Sequence, residues 1–439
     1  MLEAQNPWWK GKEHIEEDED FIRWKASSVK WIPSILEKID LEPYSLHFVS
    51  GPRQVGKTTM LKLLINNLLS HRKEKAIFYF RCDELSDFKE LDEVLREYLK
   101  IREAEGIRSS FIFLDEVTFP SEWYRAIKWH IDMGHFRNDV LILTGSLSMF
   151  VKGEVETFPG RRGKGRDFIM HPLSFREFLK LVNNKIFEKI KAFEDLKNAE
   201  EKCIRALPWL EDLQKILEQY LQCGGFPLSV KSFLETGKIS NEVLTTYLSW
   251  IRGDLAKLGR SESIAKRVIK AIIEKTSSAL SFNAIAKEFE IKSHKTVFQY
   301  IDILEKLHLA KVLYFIDPDK NTEIFYKQRK IYLTDPFLYI IFSYWCRTEK
   351  PDESILIESV VGAHLARRFN IGYWKNSREV DIVVSDDELT GVEVKYKKRP
   401  ELIKIKIGKM KKVITLTKDV FNRDPPAVPI STFLASLNI

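Results

Sequence analysis

The sequence predicts an α/β fold built on a parallel sheet, and three stretches carry that prediction. Leu46-His47-Phe48-Val49 is an apolar strand that runs straight into Gly51-Pro52-Arg53-Gln54-Val55-Gly56-Lys57-Thr58-Thr59 and then into the helical pattern Met60-Leu61-Lys62-Leu63-Leu64-Ile65. Phe111-Ile112-Phe113-Leu114 is a second buried strand, and it ends in Asp115-Glu116 about 60 residues later. Val140-Leu141-Ile142-Leu143 is another, ending in Thr144-Gly145-Ser146. Apolar runs of this length, alternating with helical patterns, mark strands buried on both faces.

The glycine-rich stretch fits G-x-x-x-x-G-K-[ST] at every fixed position. Gly51 and Gly56 let the backbone close around a polyphosphate with its N–H groups pointing inward. Lys57 reaches the β- and γ-phosphates, and the Thr58 hydroxyl is a Mg²⁺ ligand. The helix that follows turns its positive end toward the phosphates. Asp115 is placed to hold the Mg²⁺ shell and Glu116 to orient and polarise an attacking water. Ile77–Arg81 reads as a further buried strand. Phe88, Leu91, Leu95 and Leu99 lie on one face of an amphipathic helix over residues 86–104.

The 439 residues suggest about three domains. With 44% hydrophobic and 30% charged residues the composition is that of a globular protein with large cores. Seventy Lys and Arg against 63 Asp and Glu leave a net charge of +7, compatible with a nucleic-acid partner. The four cysteines, Cys82, Cys203, Cys223 and Cys346, form no C-x-x-C pair, so neither a zinc site nor a disulfide framework is expected. No signal-peptide pattern is seen, and no apolar run approaches the roughly 18 residues of a membrane span. A cytoplasmic protein without a membrane partner is the expectation.

Residues 1–40 form an N-terminal arm rich in aromatics (Trp8, Trp9, Trp24, Trp31), with the acidic run Glu16–Asp20. Either the aromatics pack on the core with the acids in solvent, or Arg23 and Trp24 border an adenine pocket.

Leu143-Thr144-Gly145-Ser146-Leu147-Ser148, Phe158-Pro159-Gly160-Arg161-Arg162 and His171-Pro172-Leu173-Ser174-Phe175-Arg176-Glu177-Phe178 together resemble the archaeal and bacterial AAA+-type P-loop ATPases that carry a C-terminal nuclease-like domain. The resemblance spans residues 47–178. It implies ATP as the nucleotide, with hydrolysis to ADP and phosphate and Mg²⁺ as the metal. It also implies a sensor position at Thr144 and Ser146, and a G-R position at Arg161 that either serves as an arginine finger in a homo-oligomer, a ring being one form, or belongs to a solvated basic loop. A guanidinium fork suits the diffuse charge of a phosphoryl transition state. The implied core covers 41–173 and a helical lid 174–259, with Gly224-Gly225-Phe226-Pro227 similar to the family's lid motif.

Residues 260–330 read as a winged helix. Helices are expected at 262–276, from Phe282 behind an N-cap at Ser281, and from Ser293 onward with Val297, Tyr300, Ile301 and Leu304 inward. His294, Lys295 and Gln299 lie off that face. Strands Leu309–Ile316 and Glu323–Tyr326 are expected to flank a wing tip at 317–321. This module serves either DNA or protein binding.

Residues 331–439 hold a second constellation. Glu358 opens a helix, Asp381 sits in the strand Glu379–Val384, and Glu393 and Lys395 share one side of the next strand. Three carboxylates and a lysine suggest a site for Mg²⁺ or Mn²⁺, with the lysine beside a scissile phosphate. The order resembles the PD-(D/E)xK, restriction-endonuclease-like core, although Val380 replaces the proline. Nine basic residues between Lys395 and Lys412 adjoin it, either as a stripe for DNA or as a solvated surface.

Overall fold

The computed structural model describes residues 2–145, 158–386, 388–397, 399–402, 404 and 406–439. The chain forms two compact units, Met1–His171 and Pro172–Ile439.

The first unit is built on five parallel strands: β1 (Ser45–Ser50), β2 (Ile77–Arg81), β3 (Phe111–Asp115), β4 (Val140–Thr144) and β5 (Asp167–Ile169). Their spatial order is β2-β3-β4-β1-β5, with all four neighbouring pairs parallel. Every residue of β1, β3 and β4 is buried, which is why these strands read as unbroken apolar runs rather than alternating ones. β5 has no such signal, because Asp167 and Ile169 are exposed and the strand has only three residues. It is held by the register Phe48–Asp167 to Ser50–Ile169 rather than by burial.

The N-terminal arm packs on edge strand β2 and satisfies its hydrogen-bonding groups with side chains. Asn6 bridges Tyr79, donating from Nδ2 to the carbonyl at 2.9 Å and accepting from the backbone N–H at 2.7 Å. The indoles of Trp8 and Trp9 both donate to the Ile77 carbonyl at 3.0 Å. A strand edge treated this way offers no template for another strand. The acidic run is not wholly solvated. Asp18 caps the helix Glu19–Ala26 and pairs at 2.9 Å with Lys62, whose ammonium lies 3.1 Å from the centre of the Tyr79 ring. Burial pushes the Lys62 ammonium down and Asp18 opposes the shift.

In the second unit the Gly-Gly-Phe-Pro stretch ends one helix at Cys223 and starts the next at Pro227. Buried Asp335 holds it, accepting from the Gly225 N–H at 2.9 Å and the Phe337 N–H at 2.9 Å. After the helix Asn241–Lys257 come helices at Glu262–Glu274, Phe282–Glu288 and His294–Lys306, with Ser261, Ser281 and Ser293 as side-chain caps. Val297, Tyr300, Ile301 and Leu304 are buried as their spacing requires.

The expected wing differs. The stretch 309–316 is not one strand: it breaks at Tyr314 into β6 (Ala310–Leu313) and β7 (Phe315–Asp317). β6 pairs antiparallel with β9 (Lys330–Leu333). β7 forms a hairpin with β8 (Thr322–Ile324), and this hairpin is the edge of a different sheet. That sheet also contains β10 (Ile371–Lys375), β11 (Glu379–Ser385), β12 (Leu389–Lys395), β13 (Lys412–Thr417) and β14 (Ala427–Pro429), in the order β14-β13-β12-β11-β10-β7-β8. The Tyr373 N–H donates to the Tyr314 carbonyl at 2.9 Å, which takes the chain from one sheet to the other. The boundary expected at 330/331 falls inside β9.

His364, fully buried, ties two parts of this unit together. Its Nδ1–H donates to the Val360 carbonyl at 2.8 Å, and its Nε2 accepts the Phe175 N–H at 3.0 Å. The Nε2 contact needs the neutral ring, and burial pushes the imidazole down to about 3. The folded state therefore refuses a proton that the unfolded chain takes below about pH 6.5. The stability contributed above that pH is lost as pH falls from about 6.5 toward 3, by roughly 1.4 kcal/mol per unit. We expect wild type to lose about 2 kcal/mol more than His364→Gln between pH 7 and pH 5, measured by urea unfolding of both proteins.

Candidate nucleotide site and C-terminal carboxylate cluster

β1 delivers the chain to Gly51 and the helix Lys57–Leu69 takes it away. Gly51 has φ of +154°, and a Cβ there would lie 2.3 Å from the Met170 carbonyl oxygen. Gly56 has φ of +99° and Gln54 φ of +59°, so the loop 51–56 alternates conformations as an anion-binding nest does. Pro52 and Val55 are buried in it, Arg53 is half-buried and Gln54 exposed, and Thr59 lies in the first turn of the helix. The Lys57 ammonium lies over the loop, donating to the carbonyls of Gly51 at 3.1 Å and Pro52 at 3.2 Å.

Across from the loop, β3 ends in buried Asp115. Its Oδ2 accepts from the Thr58 hydroxyl at 2.6 Å and the Tyr79 hydroxyl at 3.0 Å, and its Oδ1 accepts from the Thr144 hydroxyl. The same Thr144 oxygen accepts the Glu116 N–H at 3.1 Å. Glu116 has φ of +52°, a left-handed turn costly for a non-glycine residue and characteristic of functional sites. Its Oε2 is buried with no hydrogen-bond partner among the described residues. The Thr58 hydroxyl and the Asp115 carboxylate fit a hard, oxygen-seeking cation, and Mg²⁺ there would neutralise phosphate charge.

Thr144 thus lies at the heart of the site, whereas Ser146 is outside the described residues. The Arg161 guanidinium forms a fork with Asp132, at 2.7 and 3.2 Å, which holds the Asp132 carboxyl below the usual carboxylate range. An arginine finger at this position has to leave that carboxylate. Arg23 pairs with Glu19 and Asp20, and the Trp24 indole donates to the Trp31 carbonyl. The arm residue against the phosphate loop is Trp31: a Cβ on Gly56 would lie 3.8 Å from its ring. Nothing in the local sequence distinguishes Trp31 from the other three arm tryptophans. Tyr79 likewise carries no signal of its role, because its position in β2 reads simply as core.

In the second unit Glu358 lies in the middle of the helix Glu353–Leu365 rather than at its start. The register Ile382–Val392 sets Asp381 across from Glu393, and Lys395 lies 3.9 Å from Glu393. Burial pushes the Glu393 carboxyl up, Lys395 opposes the shift, and Asp381 adds to it. Asp381 Oδ2 accepts the Val394 N–H at 2.9 Å. The expected three-carboxylate metal site is not formed in this way: among the described residues no group of three or more His, Cys, Asp or Glu could hold a metal ion. Glu358 and Asp381 instead face Lys330, at 3.0 and 3.6 Å. The basic stripe is partly neutralised, with Lys404 on Asp424, Lys411 on Glu388 and Lys412 on Glu200, and Lys398 lies outside the described residues.

Residues 44–179 match a family described as an AAA domain, AAA_14. Residues 214–345 match a domain of unknown function, DUF8612. No curated protein matches the chain. Among solved structures, it is similar to the Aeropyrum pernix ORC2 protein in ADPNP–ADP complexes, at 11% identity and a TM-score of 0.37, covering 69% of this chain and 88% of that one. It is similar to the Aeropyrum pernix ORC1 protein in complex with DNA, at 12% identity and a TM-score of 0.30, covering 77% and 96%. A point variant of Thermotoga maritima RuvB aligns at 14% identity and a TM-score of 0.27, covering 69% and 89%. No helix among the described residues is long and apolar enough to cross a membrane.

Thr144→Val removes one donor from buried Asp115 and, among the described residues, the acceptor of the Glu116 N–H. We expect affinity for ATP with Mg²⁺ to fall about tenfold, the worth of one charge-assisted hydrogen bond. Affinity for ATP in EDTA should stay unchanged. Calorimetry in the two buffers separates these outcomes.

Proposed function

We propose that the chain is an ATPase whose first unit binds ATP with Mg²⁺ and hydrolyses it to ADP and phosphate, and that it works on DNA. The observation that carries the ATPase reading is the grouping of Thr58, Asp115, Thr144 and Glu116 beside a glycine nest and Lys57. In this reading the loop N–H groups and Lys57 cradle the phosphates, and Thr58 and Asp115 hold Mg²⁺. Glu116 takes the proton of the attacking water as it attacks the γ-phosphorus. Pro52, Arg53, Gln54, Val55 and Thr59 shape the loop without chemistry of their own. The DNA part is supported by the +7 charge and the capped helix His294–Lys306, which carries His294 and Lys295 at its start. Gln299, on the same helix, accepts from Arg260 at 3.3 Å.

A second reading is a nucleotide-dependent switch whose C-terminal domain engages DNA or a protein without cutting it. The lysine among the C-terminal carboxylates favours it over a metal-dependent nuclease at Asp381, Glu393 and Lys395.

Lys57→Ala should abolish ATP binding. Glu116→Gln should bind ATP as wild type does and lose at least about a hundredfold in turnover. Wild-type turnover in Glu116→Gln would reject it as the base. DNA affinity measured from low to moderate salt should fall with a log–log slope of roughly 0.9 per phosphate contact, and a flat response would remove DNA as the partner.

If Arg161 acts across a subunit boundary, mixing Arg161→Ala with Lys57→Ala chains should restore part of the activity missing from each alone. The mixed sample is read by phosphate release, and full activity of a strictly monomeric wild type would sink the idea.

A further inference from the structure

Lys330 is the first residue of β9 and its side chain has no solvent exposure. A buried ammonium is tolerated only where carboxylates and hydrogen bonds replace its water. Here three carboxylates do so. Its Nζ lies 2.7 Å from Glu379 Oε1, 3.0 Å from Glu358 Oε1 and 3.6 Å from Asp381 Oδ1. They come from three places: the middle of the helix Glu353–Leu365, the first residue of β11 and the third residue of β11.

Several of the remaining lone pairs are filled as well. Glu358 Oε1 also accepts from the Tyr332 hydroxyl at 2.6 Å. Glu379 Oε2 pairs with Lys375 at 2.7 Å. Asp381 Oδ2 takes the Val394 N–H. Burial works against the Lys330 charge, but Glu358, Asp381 and Glu379 outweigh it and hold the ammonium above its usual range. Burial and the nearby Asp381 push the Glu358 carboxyl up, as expected where like charges share one site.

A divalent ion bound to these oxygens would need them at roughly 2.0–2.6 Å, with open lone pairs. The ammonium uses the oxygens that face inward, and its own charge repels a second cation. We propose that Lys330 is the resident cation of this cluster, standing where Mg²⁺ or Mn²⁺ would stand, so that the C-terminal unit binds no divalent ion through Asp381 and Glu358. The cluster then fixes β9, the helix and β11 to one another and performs no metal-dependent phosphodiester hydrolysis. This rests on the geometry of the second unit alone and stands or falls independently of the ATPase reading.

The test uses the full chain without nucleotide, in the Lys57→Ala background, so that the first unit contributes no nucleotide-bound metal. Mn²⁺ binding is followed by electron paramagnetic resonance, with folding checked by circular dichroism. The expected result is that Asp381→Asn leaves the Mn²⁺ binding of the parent unchanged. Lys330→Met, which keeps the length and removes the charge, should gain one Mn²⁺ site at least about tenfold tighter than anything in the parent, and Lys330→Met with Asp381→Asn should lose it again. An Mn²⁺ site in the parent that Asp381→Asn abolishes overturns the proposal. So does a folded Lys330→Met that gains none. Should Lys330→Met fail to fold, the Asp381→Asn comparison in the parent still decides.

Discussion

The first unit depends on one buried carboxylate. Asp115 lies at the end of the inner strand β3 with no solvent contact, and a carboxylate buried there needs donors around it. The donors come from three directions: Thr58 from the helix after the phosphate loop, Tyr79 from β2 and Thr144 from β4. Thr58 lies in the first turn of its helix and Thr144 closes its strand, so the strand order β2-β3-β4-β1 is what brings them to one point. The same order puts Glu116 one residue beyond the end of β3, in a left-handed turn. Fold and site are therefore one constraint: slipping β3 by a residue would take Asp115 away from all three donors.

The N-terminal arm belongs to this constraint rather than decorating it. Tyr79, which donates to Asp115, is the residue bracketed by Asn6, and its ring faces the Lys62 ammonium that Asp18 neutralises. Asn6, Trp8 and Trp9 fix β2 through its backbone groups, and fixing β2 fixes the hydroxyl that orients Asp115. Residues far upstream of the phosphate loop thereby bear on the geometry around Asp115.

The parts of the molecule legible in the sequence are those whose signal is local. Four strands of the first sheet are readable because both faces are buried, and the loop 51–58 because its backbone demands glycine at two positions. The helices from Glu262 to Lys306 are readable from their caps and their 3.6-residue period. What escapes depends on partners far apart in the chain. β5 has three residues and alternating exposure, so only its pairing with β1 defines it. The break at Tyr314 comes from the pull of β10, which lies far along the chain and hydrogen-bonds the Tyr314 carbonyl, while β6 stays with β9. Trp31 and Tyr79 carry no motif at all, and their place beside the loop and beneath Asp115 is a property of the packed sheet.

The C-terminal carboxylates show the same limit in chemical form. Glu358, Asp381 and Glu393-x-Lys395 occur in the order of a metal-dependent core, and strand register does set Asp381 across from Glu393. Acids in a cluster specify only that some cation must balance them; their spacing does not say which. A metal ion and a lysine ammonium both answer the repulsion, but an ammonium binds through three directed hydrogen bonds at near 3 Å and a metal through closer, more numerous oxygen contacts. Lys330 precedes Glu358 by 28 positions, lies in a different sheet from Asp381, and has no pattern that links it to either. Its complete burial is the decisive fact, since a lysine withdrawn from water has to be matched by charge. Three acids arranged around it supply that match without any metal.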